Sequence, residues 1–403
     1  MPRDSSLLFT TRIIRLFAYG FLSVVLALYL VEVGLTEEQV GLLLTLTLAG
    51  DASISLWLTT SADRIGRRRM LLIGAGLMIL AGAGFLLTRN PVLLTLAAIV
   101  GVISPSGNEI GPFLSIEQAS LTQLLPGQMR TRAFAWYNLA GSFATATGAL
   151  AGGWLAQTLQ ANGMPALEAY RAVLVGYALA GLALVICFLR LSPAVEVSEQ
   201  ASSSTPRLLG LHQSRRVVLK LSGLFAIDAF AGGLIVQSMM AFWFHVRFGV
   251  DTGIIGSIFF GANILAGISA LLAARIAAKI GLINTMVFTH IPSNILLILV
   301  PLMPNLALAI TALLMRFSIS QMDVPTRQSY TMAVVAPDER SAASGVTSIA
   351  RSVGAAISPA LTGIFLGIPA LISAPFFLAG GLKIAYDLLL YRSFRSIKPP
   401  EEK

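Results

Sequence analysis

Charged residues are scarce in this chain. Only 12% of its 403 residues are Asp, Glu, Lys or Arg, whereas 56% are hydrophobic and the mean hydropathy is +0.79. Soluble globular domains carry about a quarter of their residues as charged ones. This deficit excludes an ordinary soluble domain and favours a surface that faces lipid.

Cysteine is nearly absent, since Cys187 is the one example and it lies in an apolar run. A disulfide within the chain is therefore impossible, which excludes a small cross-linked scaffold. Signatures of enzymatic chemistry are missing as well. The sequence contains no Walker-type glycine loop, no clustered metal ligands and no nucleophile elbow. We therefore expect neither an enzyme nor a bound metal or cofactor.

Long apolar runs are what the sequence has instead. A helix needs about 20 mostly apolar residues to cross a bilayer. Twelve such runs lie near residues 14–33, 38–60, 70–88, 92–124, 133–158, 169–189, 217–245, 252–274, 282–301, 305–335, 339–367 and 370–391. The sequence thus predicts an all-α membrane protein with twelve transmembrane helices. The fourth and tenth runs are long enough for us to expect helices that tilt or extend past the membrane.

The basic residues are distributed unevenly between the connections. With the N-terminus inside the cell, 21 Lys and Arg residues, among them Arg12 and Arg15, lie on the cytoplasmic side and three on the other. Such a bias is typical of the cytoplasmic loops of membrane proteins. It predicts a multi-pass protein of the cell membrane with both termini in the cytoplasm. It also accounts for the net charge of +9 without a nucleic-acid partner.

One connection, residues 191–216, is long, polar and rich in serine and proline. This composition is typical of a flexible linker. We expect it to lie in the cytoplasm and to separate an N-terminal six-helix bundle, residues 1–190, from a C-terminal six-helix bundle, residues 217–403.

The two halves carry a weak internal repeat at a shift of 210 residues. The segment RTRAFAWYNLAGSF from Arg130 falls on RSAASGVTSIARSV from Arg340, and a proline-bearing loop precedes each. The same shift places Glu117 on Arg327, which predicts opposite charges at equivalent positions of the fourth and tenth spans. Repeated halves are typical of transporters that open a central cavity to each side in turn.

The connection between the second and third runs contains the motif ADRIGRRR at residues 62–69. It resembles the cytoplasmic signature of the major facilitator superfamily (MFS), Gly-x-Leu-Ala-Asp-Arg-x-Gly-Arg-Arg, with Thr59 and Ser61 in place of the first glycine and the leucine. The resemblance implies the MFS fold of two pseudo-symmetric six-helix bundles and secondary transport by alternating access. It also implies a cytoplasmic gating motif composed of Asp63, Arg64, Gly66, Arg67 and Arg68.

Within this motif, Gly66 permits a tight turn between helices, and the arginines can meet phosphates or carboxylates. The resemblance implies that Asp63 faces the start of the eleventh span near Ser341. A carboxylate at a helix N-terminus contributes about 0.3–1 kcal/mol, so this contact would hold the cytoplasmic side shut. We expect Asp63→Asn to slow transport without preventing insertion. The alternative for the arginines is a purely topological role as positive charges on the cytoplasmic side.

Ionisable residues inside the predicted spans are candidates for a proton or substrate cavity, because a charge in the bilayer is costly. They are Asp51, Glu109, Glu117, Asp228, Arg316, Asp323, Arg327 and Arg351. On a continuous helix Arg316, Asp323 and Arg327 share one face, with the last two paired at i, i+4. The alternative for the whole set is a group of fixed salt bridges that hold helices together.

Two further assignments concern single residues. The resemblance implies that the second and eleventh spans meet between the halves, and Asp51 and Arg351 lie at similar depth in them, so the two are expected to pair. Asp228 has no obvious basic partner in the sequence, so it is the best candidate for a proton carrier. Among residues near the membrane edges, we expect interfacial anchors at Trp136 and Tyr137 and structural roles for His245 and His290.

The sequence therefore predicts a monomeric secondary transporter of a small solute in the lipid bilayer. Its first prediction is proton-coupled export of amphipathic or drug-like compounds. The first alternative is uptake of a small anionic solute held by Arg316, Arg327 or Arg351. The second alternative, of another class, is a membrane sensor or assembly protein that transports nothing.

Overall fold

A computed structural model describes residues 3–109, 111–196, 213–336 and 339–397, apart from the side chains at positions 63, 128, 131 and 341. Within these ranges the chain is helical and forms no strand. The helices are α1 (Arg3–Ser23), α2 (Leu26–Glu32), α3 (Glu37–Ile65), α4 (Arg67–Leu87), α5 (Pro91–Val100), α6 (Phe113–Leu124), α7 (Gly127–Ala161), α8 (Ala166–Leu189), α9 (Arg215–Gly233), α10 (Gln237–Phe248), α11 (Thr252–Ile280), α12 (Leu282–Leu299), α13 (Leu306–Phe317), α14 (Asp323–Ala333), α15 (Arg340–Leu366) and α16 (Ala374–Phe394).

The membrane-spanning segments follow from the length and apolarity of these helices. Among the described residues, eight segments are long and apolar enough to cross a membrane, and α1 with α2 forms a ninth that is bent by 45°. The other expected spans are α7, which has 35 residues, and two broken spans, α5 with α6 and α13 with α14. The fold is thus an all-α membrane fold with about twelve spans, as the sequence predicts.

The fourth and tenth spans are broken, so the expectation of two long continuous helices is wrong. The first break separates α5 from α6, and the second separates α13 from α14. The first break has the sequence GVISPSGNEIGP, in which Gly107 and Gly111 have φ angles of +69° and +79°. Only glycine adopts such angles readily, and proline removes a helical hydrogen bond, so this segment cannot continue a helix.

Hydrogen bonds from the surrounding protein stabilise the first break. Backbone that is not helical at membrane depth needs partners within the protein, because lipid offers none. Four carbonyl oxygens of the break accept hydrogen bonds: Val102 from the Tyr177 hydroxyl, Gly107 from Thr145 Oγ1 at 3.3 Å, Pro105 from the Ser238 N–H at 3.0 Å and Asn108 from Ser104 Oγ at 2.7 Å. These bonds hold residues 102–108 of the break against the helices of unit 1.

The chain divides into two compact units. Unit 1 comprises Met1–Thr205 with Gln237–Phe260, and unit 2 comprises Pro206–Val236 with Gly261–Lys403. In unit 1, α1 packs along α7 and α8, and α4 packs on α8. In unit 2, α9 packs along α15 and α16, and α12 packs on α16.

Small residues bring the paired helices of each unit into backbone contact. A Cβ atom added at Gly148 of α7 would lie 2.0 Å from the Phe17 carbonyl oxygen of α1. In unit 2, a Cβ atom at Gly354 of α15 would lie 2.3 Å from the Ala226 carbonyl oxygen of α9. Close approach of this kind is the main source of helix association in lipid, where burial of apolar surface contributes little.

Candidate functional site

The ADRIGRRR motif forms the turn between α3 and α4. Gly66 has a φ of +116°, which places it in the region that favours glycine, and α4 begins at the next residue. Gly66 thus makes the predicted tight turn. Arg64 is exposed. The side chains of Asp63 and Ser341 lie outside the described residues, so their contact stays a prediction.

A carboxylate from the segment after α8 caps the helix that follows this turn. Glu196 accepts hydrogen bonds from the backbone N–H groups of Arg67 at 2.6 Å and Arg68 at 3.1 Å. A negative charge at a helix N-terminus is favourable because the free N–H groups and the helix dipole both point to it. The Arg67 guanidinium donates to Gln123 at 3.0 Å, and that of Arg68 donates to the Leu189 carbonyl at 2.6 Å. The motif therefore fastens α4 to α6 and to the end of α8 within unit 1.

Unit 1 contains a buried ion-pair cluster between α1 and the broken fourth span. Arg15 donates from both terminal nitrogens to the Glu117 carboxylate, at 2.9 and 2.8 Å, and from Nε to Glu109 at 2.7 Å. Arg12 donates to the other oxygen of Glu109 at 2.7 Å. The Tyr137 hydroxyl donates to Glu117 as well. Two guanidinium groups thus balance two carboxylates.

Sequence reasoning missed three members of this cluster. It assigns Arg12 and Arg15 to the cytoplasmic surface and Tyr137 to the interface, but they are only 6%, 0% and 0% exposed. These residues are not surface charges or interfacial anchors, because α1 continues through both arginines and packs against α7 and α8. The side of the membrane nearest to them stays a prediction. The spacing of the two arginines was a usable signal, because residues three apart share a helix face. Glu109 and Glu117 lie in the same half and needed basic partners.

Unit 2 contains a cluster in which basic groups outnumber acidic ones. Asp228 of α9 contacts three cations, with Lys383 Nζ at 2.6 Å, Arg327 Nη1 at 3.0 Å and Arg351 Nη1 at 3.2 Å. The prediction that Asp228 has no basic partner is therefore wrong. We define the basic cluster as Asp228, Arg316, Asp323, Arg327, Arg351 and Lys383.

The tenth-span residues of this cluster are placed partly as predicted. The pair of Asp323 and Arg327 is confirmed, with 2.9 Å between Oδ2 and Nη1. Arg316 precedes the helix break, so the three residues do not lie on one continuous helix as expected. The Arg316 side chain is buried and interacts electrostatically with Asp323 and Asp228. Among the described residues, its Nε atom has no hydrogen-bond partner.

Lys383 of α16 is the member of the basic cluster that sequence reasoning missed. It lies inside the predicted twelfth span, like the arginines of the tenth and eleventh spans, and is 7% exposed. Its position within an apolar run was a usable signal, because a cation there needs a partner.

The predicted pair of Asp51 and Arg351 joins residues of different units, so it stays a prediction. Within unit 1, Asp51 accepts a hydrogen bond from Ser55 at 3.2 Å. Within unit 2, Arg351 contacts Asp228 and has a side chain that is 35% exposed. Arg351 is thus the most exposed cation of the basic cluster.

Glu117 and Arg327 occupy equivalent places in the two halves. Each is the fifth residue of the helix that follows a break, α6 in one half and α14 in the other. Each also pairs with an opposite charge on the first helix of its own half, Arg15 of α1 or Asp228 of α9. Each half therefore has an ion pair between its first helix and its broken span. The cation lies on the first helix in one half and on the broken span in the other.

A family profile of the Major Facilitator Superfamily matches residues 8–359. The chain belongs to the Major Facilitator Superfamily. The Uncharacterized membrane protein YJR124C of Saccharomyces cerevisiae is 31% identical over 425 residues, with 98% of this chain and 95% of that protein covered. The resemblance predicted from ADRIGRRR is thereby confirmed.

Solved structures of transporters share this fold. A D-xylose-proton symporter aligns with a TM-score of 0.75 at 15% identity, covering 96% of this chain and 97% of that one. A bacterial homologue of the human lysosomal transporter Spinster, inward-facing and unoccupied, aligns with a TM-score of 0.71 at 16% identity, covering 98% and 96%. Family and fold together make this MFS protein a multi-pass membrane protein and a secondary transporter rather than an enzyme.

Proposed function

We propose that this MFS protein transports a small organic anion and that the basic cluster forms part of its solute site. The observation that carries the proposal is the imbalance of charge in that cluster. Four cations, from Arg316, Arg327, Arg351 and Lys383, accompany the two carboxylates of the cluster, and they remain in excess when the neighbouring Asp387, which interacts with Lys383, is counted as a third. Because an unbalanced charge away from water is costly, an anion that enters the cluster gains free energy.

The donors in the cluster suit a carboxylate or phosphate group. A guanidinium presents several N–H groups in a plane and binds such oxygens with two parallel hydrogen bonds. Arg316 has a buried Nε without a partner among the described residues, and Arg351 is partly exposed. These two side chains are the proposed contacts to the anion, while Arg327 is held by Asp323 and Asp228.

The anion proposal takes precedence over export of amphipathic compounds because of Asp228. The proton coupling in that prediction depends on an acid without a basic partner that can bind and release a proton. Three cations surround Asp228 instead, and their charges favour its ionised form. Proton coupling, if present, needs another group.

The topology remains part of the proposal. We propose that a monomer in the cell membrane alternates access between bundles of residues 1–190 and 217–403, with both termini in the cytoplasm. The bias of the basic residues, 19 against three once the buried Arg12 and Arg15 are subtracted from the 21, supports this orientation. Labelling of single cysteines in a Cys187→Ala background with an impermeant reagent checks it. We expect labelling from outside near Glu37 and none near Arg392 in intact cells.

Binding of matched pairs of solutes to the purified protein tests the proposed substrate class. Each carboxylate or phosphate ester is compared with its neutral amide or dephosphorylated counterpart in a thermal-shift screen. We expect stabilisation by at least one anion and not by its neutral counterpart. That anion should also accumulate in proteoliposomes that contain the protein.

Two arginine variants complete the test. Arg351→Gln should weaken binding of that anion by about tenfold or more, the scale of one lost charged hydrogen bond. Arg247→Gln is the matched control, because Arg247 is exposed and lies in unit 1. Stabilisation by neutral or cationic amphipathic compounds alone, unchanged in Arg351→Gln, would contradict the proposal.

A further inference from the structure

A histidine and a carboxylate form a buried pair beside the basic cluster. His290 Nδ1 of α12 lies 2.9 Å from Asp387 Oδ1 of α16, and the second carboxylate oxygen accepts from Asn294 Nδ2 at 3.1 Å. His290 is 4% exposed and Asp387 is 0% exposed. The proposed anion site does not use this pair. A single proton decides whether it carries a net negative charge or none.

The pair is linked to the basic cluster through α16. Lys383 precedes Asp387 by four residues, so the two side chains lie on the same face of the helix, one turn apart. Lys383 contacts Asp228 of α9. It therefore lies between two carboxylates, one that it contacts and one that it can reach.

Other charged groups around the pair are already bound to one another. Those that interact with it or with the adjoining Tyr386 are Asp228 of α9, Asp323 and Arg327 of α14, Arg351 of α15 and Lys383 of α16, and Arg316 of α13 interacts in turn with Asp228 and Asp323. Histidine is the side chain that ordinarily changes charge between about pH 5 and 8. His290 is the histidine among these residues, so its imidazole is the candidate for proton exchange.

We propose that His290 and Asp387 form the proton-binding site of this transporter and control the basic cluster through Lys383. With a proton on the imidazole, its charge balances Asp387 and Lys383 remains on Asp228. When that proton leaves to water, Asp387 has an unbalanced charge and draws Lys383 away from Asp228. Asp228 then loses one cation, and its negative charge opposes an incoming anion. Proton and anion therefore bind together.

The consequence for the anion rests on the proposed function, whereas the proton site does not. Sulfate serves as the anion probe, and calorimetry in buffers of different ionisation enthalpy counts the protons taken up when it binds. We expect net proton uptake with sulfate for the wild type. His290→Gln and Asp387→Asn should bind sulfate without proton uptake, and His245→Gln, whose histidine is exposed, should match the wild type. Undiminished uptake in His290→Gln would overturn the proposal.

A spectroscopic measurement separates the two proposals and needs no anion. The chain has three histidines, so the side-chain signal of His290 in the labelled protein is assigned by its loss in His290→Gln. We expect Lys383→Met to change the midpoint of its titration by about half a pH unit or more, whereas Lys279→Met should leave it unchanged. If Lys383→Met changes the midpoint but sulfate does not bind, the proton site stands and the anion site fails. If sulfate binds while the midpoint is unchanged, the coupling through Lys383 is wrong.

Folding of the variants is checked by sulfate binding itself, which both His290→Gln and Asp387→Asn should retain. Asp387→Asn preserves the shape of the carboxylate, so it supplies the proton count where His290→Gln fails to fold. A structural role alone would lower stability in these variants without removing proton uptake from the sulfate reaction.

Discussion

Lys383 Nζ lies 2.6 Å from Asp228 Oδ1, and this contact joins α16 to α9 at the centre of the basic cluster. Arg327 and Arg351 contact the other oxygen of the same carboxylate. Removing the charge of Asp228 leaves these cations buried without their counter-ion. We expect Asp228→Asn to lower the free energy of unfolding by about 3–5 kcal/mol, measured by denaturant unfolding of the purified protein.

The double variant distinguishes this electrostatic cause from a change of shape. Asp228→Asn combined with Lys383→Met should regain part of the loss, because one of the unbalanced cations is removed as well. A double variant that loses the sum of both single losses would show that the two residues act independently.

The hydrogen bonds that Arg15 donates in unit 1 give a second prediction. Arg15→Met removes three hydrogen bonds and leaves Glu117 and Glu109 with one guanidinium between them. We expect a loss of about 3–5 kcal/mol in the free energy of unfolding. Arg64→Ala, at an exposed arginine, should change it by less than about 0.5 kcal/mol. Equal effects of the two substitutions would contradict the assigned role of Arg15.

The contact between α1 and α7 gives a third prediction. Gly148→Ala places a methyl group where the Phe17 carbonyl oxygen lies 2.0 Å away, so the helices must separate. We expect a lower melting temperature and a loss of about 1–3 kcal/mol, the usual range for overpacking. Gly345→Ala is the control, since nothing lies within 4 Å of its added carbon. That variant should be neutral or slightly stabilised because alanine favours the helix.

The cap on α4 gives a fourth prediction. Glu196→Ala removes the acceptor of the Arg67 and Arg68 backbone N–H groups. Loss of such a cap costs about 1 kcal/mol, which chemical denaturation detects. Glu168→Ala removes a carboxylate from an exposed pair with Arg171 and should cost less than about 0.5 kcal/mol. A smaller loss for Glu196→Ala than for Glu168→Ala would rule out the capping role.

The sequence was informative wherever the signal is local. Hydropathy predicts the number of spans because a bilayer imposes one length on every helix. The contact of Asp323 with Arg327 follows from helical periodicity, since both residues lie on α14. The repeat places Glu117 and Arg327 at equivalent positions because the alignment depends on residue order alone.

The sequence was uninformative where distant segments meet. Arg15 and Glu117 are 102 residues apart in the chain, and Asp228 and Lys383 are 155 apart. No periodicity connects such residues, so their pairing depends on which helices pack together. The break before α6 was also missed, because its stability comes from hydroxyl and N–H groups on α7, α8 and α10.

The reversed sign of the ion pair in the two halves bears on how the newly made polypeptide assembles. If α1 met α14 instead of α6, Arg15 would approach Arg327, and two like charges would repel in a medium that screens neither. Asp228 of α9 would likewise be repelled by Glu117 of α6. The exchanged charges therefore disfavour pairing of a helix from one half with the equivalent helix of the other half while the chain is inserted.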